Sequence, residues 1–208
     1  MISTPFQPTL FVSLRSPFAR RIRLALHRLD ISYNEKTVDV FQENPELQAA
    51  NPLALVPTLV TAHGPVCDSA NILEYLNDTR GGVWPVDLRA KIDARQAAVW
   101  AEGIMQSLVL YYQEAKMHEV PSPRWLKEHV ESMLATLAFL AGAPKDVWFT
   151  EKSCGAGLTQ AAWDLCVTLE YMDLRLPELN WRAKYPGFTT ILETARKNSY
   201  FCETTPPL

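Results

Sequence analysis

The chain has 208 residues, 20 Lys and Arg against 23 Asp and Glu, and 48 % hydrophobic residues. A nearly neutral chain of that hydrophobicity is not a disordered polymer, and without a basic excess it does not read as a nucleic-acid binder. Its length suits one large domain or two small ones, and 15 Pro against 8 Gly point to rigid punctuation between elements rather than flexible linkers.

In chain order, Thr9 to Ser13 is a short β-rich run, and from Pro17 the apolar residues Phe18, Ile22, Ala25, Leu26 and Leu29 recur at helical spacing. Ile31 to Val38 alternates like a strand, which completes a βαβ unit with parallel strands. After a loop, Thr58 to Thr61 and Val66-Cys67 flank Ala62-His63-Gly64-Pro65, which reads as a four-residue hairpin connection. Asp68 and Ser69 then open a helix carrying Ile72, Leu73 and Leu76. Beyond Gly81-Gly82 the strand signals stop. Leu88 to Met117, Trp125 to Leu140, Leu158 to Leu176 and Pro186 to Lys197 each show helical spacing. The expected organisation is therefore a small α/β domain over residues 1–80 and an all-helical bundle over residues 88–208.

No apolar run is long enough to span a bilayer, so no membrane partner is expected, and Met1 to Pro8 does not read as a secretory signal. Cys67, Cys154, Cys166 and Cys202 are scattered, with neither a zinc pattern nor a disulfide framework. The plain reading of each is a small buried hydrophobe in a reducing cytoplasm, and no metal is expected.

Three dipeptides sit where chemistry is possible. Pro17 suits the first helical position, which makes Ser16 the N-cap and puts its hydroxyl at the positive end of the helix. An ordinary cap is the plainer alternative. Val56-Pro57 opens a strand; a cis bond there turns the Val56 backbone outward to pair with an extended ligand, while a simple strand start explains the Pro equally. Asp68-Ser69 is either a double cap or a grip for a zwitterionic amino acid, with Ser69 taking its carboxylate and Asp68 its ammonium.

Taken together and in order, the runs SLRSPFARRIRLAL, NPLALVPTLV and CDSANILEYL resemble the N-terminal domain of the cytosolic glutathione transferases, and the helical remainder resembles their C-terminal domain. Phe18 and Arg20 fit the S-P-F-x-R form of bacterial serine-type members. The resemblance implies a thioredoxin-like βαβ-ββα domain followed by a helical bundle. It implies glutathione as co-substrate, with Ser16 holding the sulfur and Phe18, Leu55, Val56, Pro57, Asp68 and Ser69 around the peptide. It further implies conjugation of small hydrophobic electrophiles or glutathione-dependent peroxide reduction, a detoxifying role in the cytoplasm, and a homodimer. Trp100, Tyr111 and Tyr112 are candidates for the electrophile pocket, with plain helix packing as their alternative. A Cys-based thiol transferase is disfavoured because position 16 is Ser.

Two departures stand out. Ala54 and Leu55 replace the Gly and the polar residue usual in the loop before Pro57, which suits weaker binding or a non-catalytic binding or regulatory protein of the same fold. Thr159-Gln160-Ala161-Ala162 keeps the cap of a buried S/T-x-x-D box and lacks its acid, so a reciprocal capping bond is expected to be lost.

Overall fold

The computed structural model describes residues 6–149 and 157–207; Cys154 lies outside them. The chain forms two compact units, one ending at Val83 and one running from Trp84 to Pro206.

The first unit is thioredoxin-like. Strands β1 (Thr9–Val12), β2 (Asn34–Thr37), β3 (Thr58–Thr61) and β4 (Gly64–Cys67) form one sheet in the order β2-β1-β3-β4, with β2 parallel to β1 and the other pairs antiparallel. Helices α1 (Pro17–Arg28) and α3 (Ser69–Arg80) pack on each other through stripes that include Ile22, Leu26, Ile72, Leu73 and Leu76. Side chains alternate along β1. Phe11 therefore points to the opposite face from Leu10 and Val12, where it packs with Val38 and Leu47.

Leu47 belongs to α2 (Pro45–Ala50), which lies in a segment expected to be loop. Six residues are too few to show a helical period. The signal was local instead: Asn44 caps Leu47 N–H at 2.9 Å and Pro45 takes the first position. Strand β2 is shorter than the alternation suggested, and all four of its residues are exposed, because it is the sheet edge and has no buried face to impose a period. The hairpin also differs. Gly64 pairs with Thr61, which leaves a two-residue turn, Ala62-His63, in place of a four-residue one. Thr61 Oγ1 closes it by donating to Gly64 O at 2.8 Å.

The second unit is helical: α4 (Leu88–Met117), α5 (Pro123–Ala141), α6 (Lys145–Trp148), α7 (Gln160–Arg175), α8 (Trp181–Lys184), α9 (Gly187–Ala195) and α10 (Ser199–Glu203). Small residues Ala94, Ala97, Ala98 and Ala101 make the buried side of α4 and allow α7 close, so that Thr168 Oγ1 donates to Ala101 O at 3.2 Å. Helix α7 is buried all round from Gln160 to Leu169, as the central helix of a bundle must be.

The start of α7 keeps the expected simple cap and adds a bond that the sequence does not announce. Thr159 Oγ1 does cap Ala162 N–H at 3.1 Å, and Ala162 offers no acid in return. The Thr159 N–H is nevertheless satisfied, because it donates to Trp148 O at 3.0 Å beside the bridge between Phe149 and Leu158. A backbone carbonyl from a distant segment has taken the acid's place, and that exchange is invisible to any local pattern.

Candidate active site

Sheet register brings the three dipeptides together. Phe11 pairs with Thr58, and Thr58 pairs with Cys67. The end of β1, the start of β3 and the end of β4 therefore lie at one edge of the sheet. Ser16 follows the first, Val56-Pro57 precedes the second, and Asp68-Ser69 follows the third.

Ser16 closes a tight turn, its N–H donating to Ser13 O at 2.9 Å, and sits in extended conformation as the N-cap of α1. Its Oγ accepts from Ala19 N–H at 3.2 Å. A hydroxyl has one proton and two lone pairs. Because the cap uses a lone pair, the proton remains available to an outside acceptor. The first turn of α1 contains no acidic residue, so the positive end of the helix is not neutralised locally. Ser16 and Phe18 are both half-buried.

The Val56-Pro57 bond is cis. The loop leading to it is organised by Asn51, which is buried and was not singled out from the sequence. Its Nδ2 donates to Leu55 O at 3.1 Å and to Thr58 Oγ1 at 3.0 Å, while its Oδ1 accepts from Leu53 N–H at 3.0 Å. Thr58 Oγ1 in turn donates to Leu55 O at 2.8 Å. Asn51-Pro52 was the legible signal, an Asx-type turn whose amide bonds the backbone two residues on. Ala54 has φ +52°, the left-handed region, so the Gly usual in the resembling loop is replaced at an energetic cost of about 1–2 kcal/mol. Leu55 is 61 % exposed, as expected of a side chain facing ligand or solvent rather than core. Replacing Asn51 by Ala removes three hydrogen bonds across six residues of loop. It should raise KM for the peptide ligand about tenfold while changing kcat less than about threefold, given about 0.5–1.5 kcal/mol net per bond. Steady-state kinetics checks this, and equal losses in both constants would contradict it.

Asp68 is the N-cap of α3, at φ +72°, and its Oδ1 accepts from Ala70 N–H at 2.9 Å and Asn71 N–H at 3.1 Å. It is exposed, and its second oxygen takes no part in the cap. Ser69 is the first helical residue rather than a second cap, and it is 3 % exposed. Its Oγ accepts from Arg21 Nη1 at 3.2 Å. Arg21 and its neighbour Arg20 are each 1 % exposed. Sequence patterning misses them because arginine is ordinarily assigned to the solvent side of a helix.

A cleft of about 760 Å³ in the same unit lies at the opposite end of α1, among Leu26, Asp30, His63, Tyr75 and Arg80. It contains none of the predicted site residues. The predicted residues instead gather at the N-terminal end of α1, with a capping hydroxyl, the cis-Pro loop and the start of α3.

The predicted electrophile residues fall in the helical unit. Trp100 packs edge-on against Phe139, with ring centroids 4.5 Å apart. Tyr111 and Tyr112 are half-buried neighbours on α4. The Arg175 guanidinium lies over Tyr112 at 3.8 Å and near Tyr171 at 5.3 Å. Burial raises the Tyr171 phenol above its usual value near 10, against the opposing pull of Arg175. Trp100 and Tyr112 thus each have a partner within the helical unit. Among the described residues there is no cluster of three or more His, Cys, Asp or Glu suited to a metal, and no helix long and apolar enough to cross a membrane.

A thioredoxin-like unit with a cis-Pro loop, followed by a helical unit, is the architecture of the glutathione transferases. Residues 10–84 match the family described as glutathione S-transferase, N-terminal domain. Glutathione S-transferase 1 of Dianthus caryophyllus is 32 % identical over 131 residues; the chain spans 59 % of that protein's length, and 59 % of this chain is covered. An uncharacterised GST-like protein of Escherichia coli, YibF, is 26 % identical over 94 % of this chain and 96 % of its own. Among solved structures, a glutathione S-transferase of Methylobacterium radiotolerans in complex with glutathione sulfonate superposes with a TM-score of 0.86 at 25 % identity, covering 98 % of this chain and 96 % of the other. The fold is that of the glutathione transferases, and the matches support that family.

Proposed function

We propose that the chain is a glutathione transferase of the serine type, in which Ser16 holds the glutathione sulfur as thiolate for attack on a small apolar electrophile. The observation that carries this is the Ser16 hydroxyl, whose oxygen is engaged by Ala19 N–H while its proton is left for an anion at a helix N-terminus. Val56 and Leu55 line the cysteinyl and glycyl part of the peptide. Ser69 and Asp68 hold the γ-glutamyl carboxylate and ammonium. Phe18 supports the sulfur end. Trp100, Tyr111 and Tyr112 are the candidates for the electrophile. The thiolate displaces a leaving group such as halide from carbon, so a C–S bond forms as the carbon–halogen bond breaks and the thiol proton has already gone to solvent.

The energetics close. A free thiol of pKa about 8.5 is about 3 % ionised at pH 7, and lowering that pKa by about two units needs roughly 2.7 kcal/mol. A charge-assisted hydrogen bond of about 1.5–3 kcal/mol and a helix terminus of about 0.3–1 kcal/mol suffice. Ionisation is only part of the rate. The thiolate fraction rises about 25-fold, while the lower basicity removes about sixfold to tenfold, so positioning of the two reactants must supply the rest.

A second reading, a non-catalytic binding protein of this fold, is favoured by the apolar, exposed Leu55 at the position where a polar group normally meets the peptide. Calorimetric titration with glutathione, followed by an aryl-halide conjugation assay, separates the two. Saturable binding with turnover is the expected result. Binding without turnover favours the second reading, and no binding at millimolar glutathione removes the enzyme reading.

A further inference from the structure

We propose that the cleft at the far end of the thioredoxin-like unit is a second ligand site, suited to a short apolar peptide of about two residues, with Asp30 taking its ammonium and Arg80 its carboxylate. The inference stands apart from the glutathione reading. The cleft lies at the C-terminal end of α1, roughly 16 Å along that helix from Ser16.

Asp30 is the residue that local physics does not explain. Helix α1 closes with Ile31 N–H donating to Leu26 O at 3.0 Å and Asp30 N–H donating to His27 O at 3.1 Å, the paired bonds that place one residue in the left-handed region. Asp30 fills that place at φ +52°, where glycine or asparagine is usual. Its carboxylate also stands at the negative end of the α1 dipole, and no ion pair with a described residue compensates it. Both choices lower stability, and strain of this kind gathers where a ligand is held.

The rest of the cleft indicates which ligand. Arg80, the last residue of α3, borders the same space of about 760 Å³ without pairing with Asp30 or with any other described acid. Two opposite charges that share a cleft and do not meet match a molecule carrying its own charges at its two ends. A ligand with a carboxylate alone would be repelled by Asp30, and one with an ammonium alone by Arg80, so the pair selects the zwitterion. The volume lies within the range usual for small-molecule sites, and two extended residues span at most about 7 Å between their ends. Ile31 and Tyr75 are half-exposed walls for apolar side chains, over a floor closed by the buried Leu26 and Leu76. The Tyr75 hydroxyl offers a donor and an acceptor to the peptide amide.

The test uses leucyl-phenylalanine, its N-acetyl form and its C-terminal amide, titrated calorimetrically into the intact wild type, D30N and R80Q without glutathione. The wild type should bind the dipeptide saturably, with a Kd of about 0.1–1 mM, and each blocked form about fivefold more weakly, the scale for charges at an exposed rim. D30N should abolish the discrimination against the N-acetyl form and keep that against the amide, and R80Q should do the reverse. Both positions are exposed, so both variants should fold. Asparagine suits a positive φ and carries no charge, so D30N should also raise Tm. Absence of saturable binding at about 10 mM dipeptide, a discrimination that survives the variant assigned to it, or a fall in Tm for D30N would each overturn the proposal. Glutathione titrated separately keeps the two sites distinct: a wild type that binds the dipeptide and not glutathione removes the glutathione reading alone, and the converse removes this site alone.

Discussion

Ser16→Ala should move the apparent pKa in the kcat/KM profile for aryl-halide conjugation upward by about two units, from about 6.5 to about 8.5. The rate loss then depends on pH in a definite way. At pH 6 the thiolate fraction falls about 76-fold, but the more basic thiolate regains about sixfold to tenfold, leaving a loss of about tenfold. At pH 7 the loss shrinks to about threefold, and above about pH 8 the variant should match or exceed the wild type, because the remaining deficit in ionisation, about fourfold at pH 8, is then smaller than the variant thiolate's gain in nucleophilicity. The sign follows from which protonation state Ser16 stabilises. Its proton is the free partner, since its oxygen is already used by Ala19 N–H, so it favours the anion. Loss of the cap also lowers stability by about 1 kcal/mol, and Ser16→Thr serves as the control that retains both hydroxyl and cap. A uniform loss across pH 6 to 9 would show that Ser16 acts only as a helix cap. The profile of kcat/KM for the aryl halide, measured at saturating glutathione, is the decisive record because it reports the bound thiol.

Thr159→Val is the substitution expected to cost most in stability. The side chain is nearly isosteric, so little packing is lost, but the hydroxyl makes two bonds in the protein interior: it accepts from Ala162 N–H at 3.1 Å and donates to Val147 O at 2.6 Å. Removing it orphans a buried N–H and a buried C=O together. At about 1–3 kcal/mol for each of the two unsatisfied groups, the total is about 2–6 kcal/mol, or a fall in Tm of at least about 4 °C for a chain of this size. Replacing Ala162 with Asp should not repair the variant, nor stabilise the parent. The N–H that such an acid serves in a capping box is already held by Trp148 O, and position 162 is fully buried, so a carboxylate there would be desolvated without a donor. Thermal unfolding of the single variants checks both statements, and a Tm within about 2 °C of the parent for Thr159→Val would contradict the first.

The legibility of the site divides along the same line as these two predictions. Ser16, Pro57 and Asp68 could be read because each sits at a change of period, where a strand gives way to a helix or a loop to a strand, and cap chemistry there is local. Asn51 and Arg21 could not be assigned roles, since both act on residues reached through the fold: Asn51 on Leu55 and Thr58, Arg21 on Ser69 forty-eight positions later. Short elements were less legible for a related reason. Helix α2 buries too little for a hydrophobic period to declare it, and the edge strand β2 was read at its place but too long. Trp100 and Tyr112 illustrate the opposite case, in which an aromatic residue that could have faced a ligand is shared with Phe139 or Arg175 of its own bundle.

By itself the sequence determined the succession of periods, hence a βαβ-ββα unit followed by helices, and the hydroxyl and carboxylate caps that open α1 and α3. These are properties of neighbouring residues, and neighbouring residues are enough to specify them. Only the tertiary structure decided that the three helix and strand starts meet at one sheet edge, that the lost capping acid is replaced by a backbone carbonyl, and that a buried arginine stands behind Ser69. Each of those depends on which chain segments the core brings within hydrogen-bond reach, a distance set by packing and not by separation along the chain.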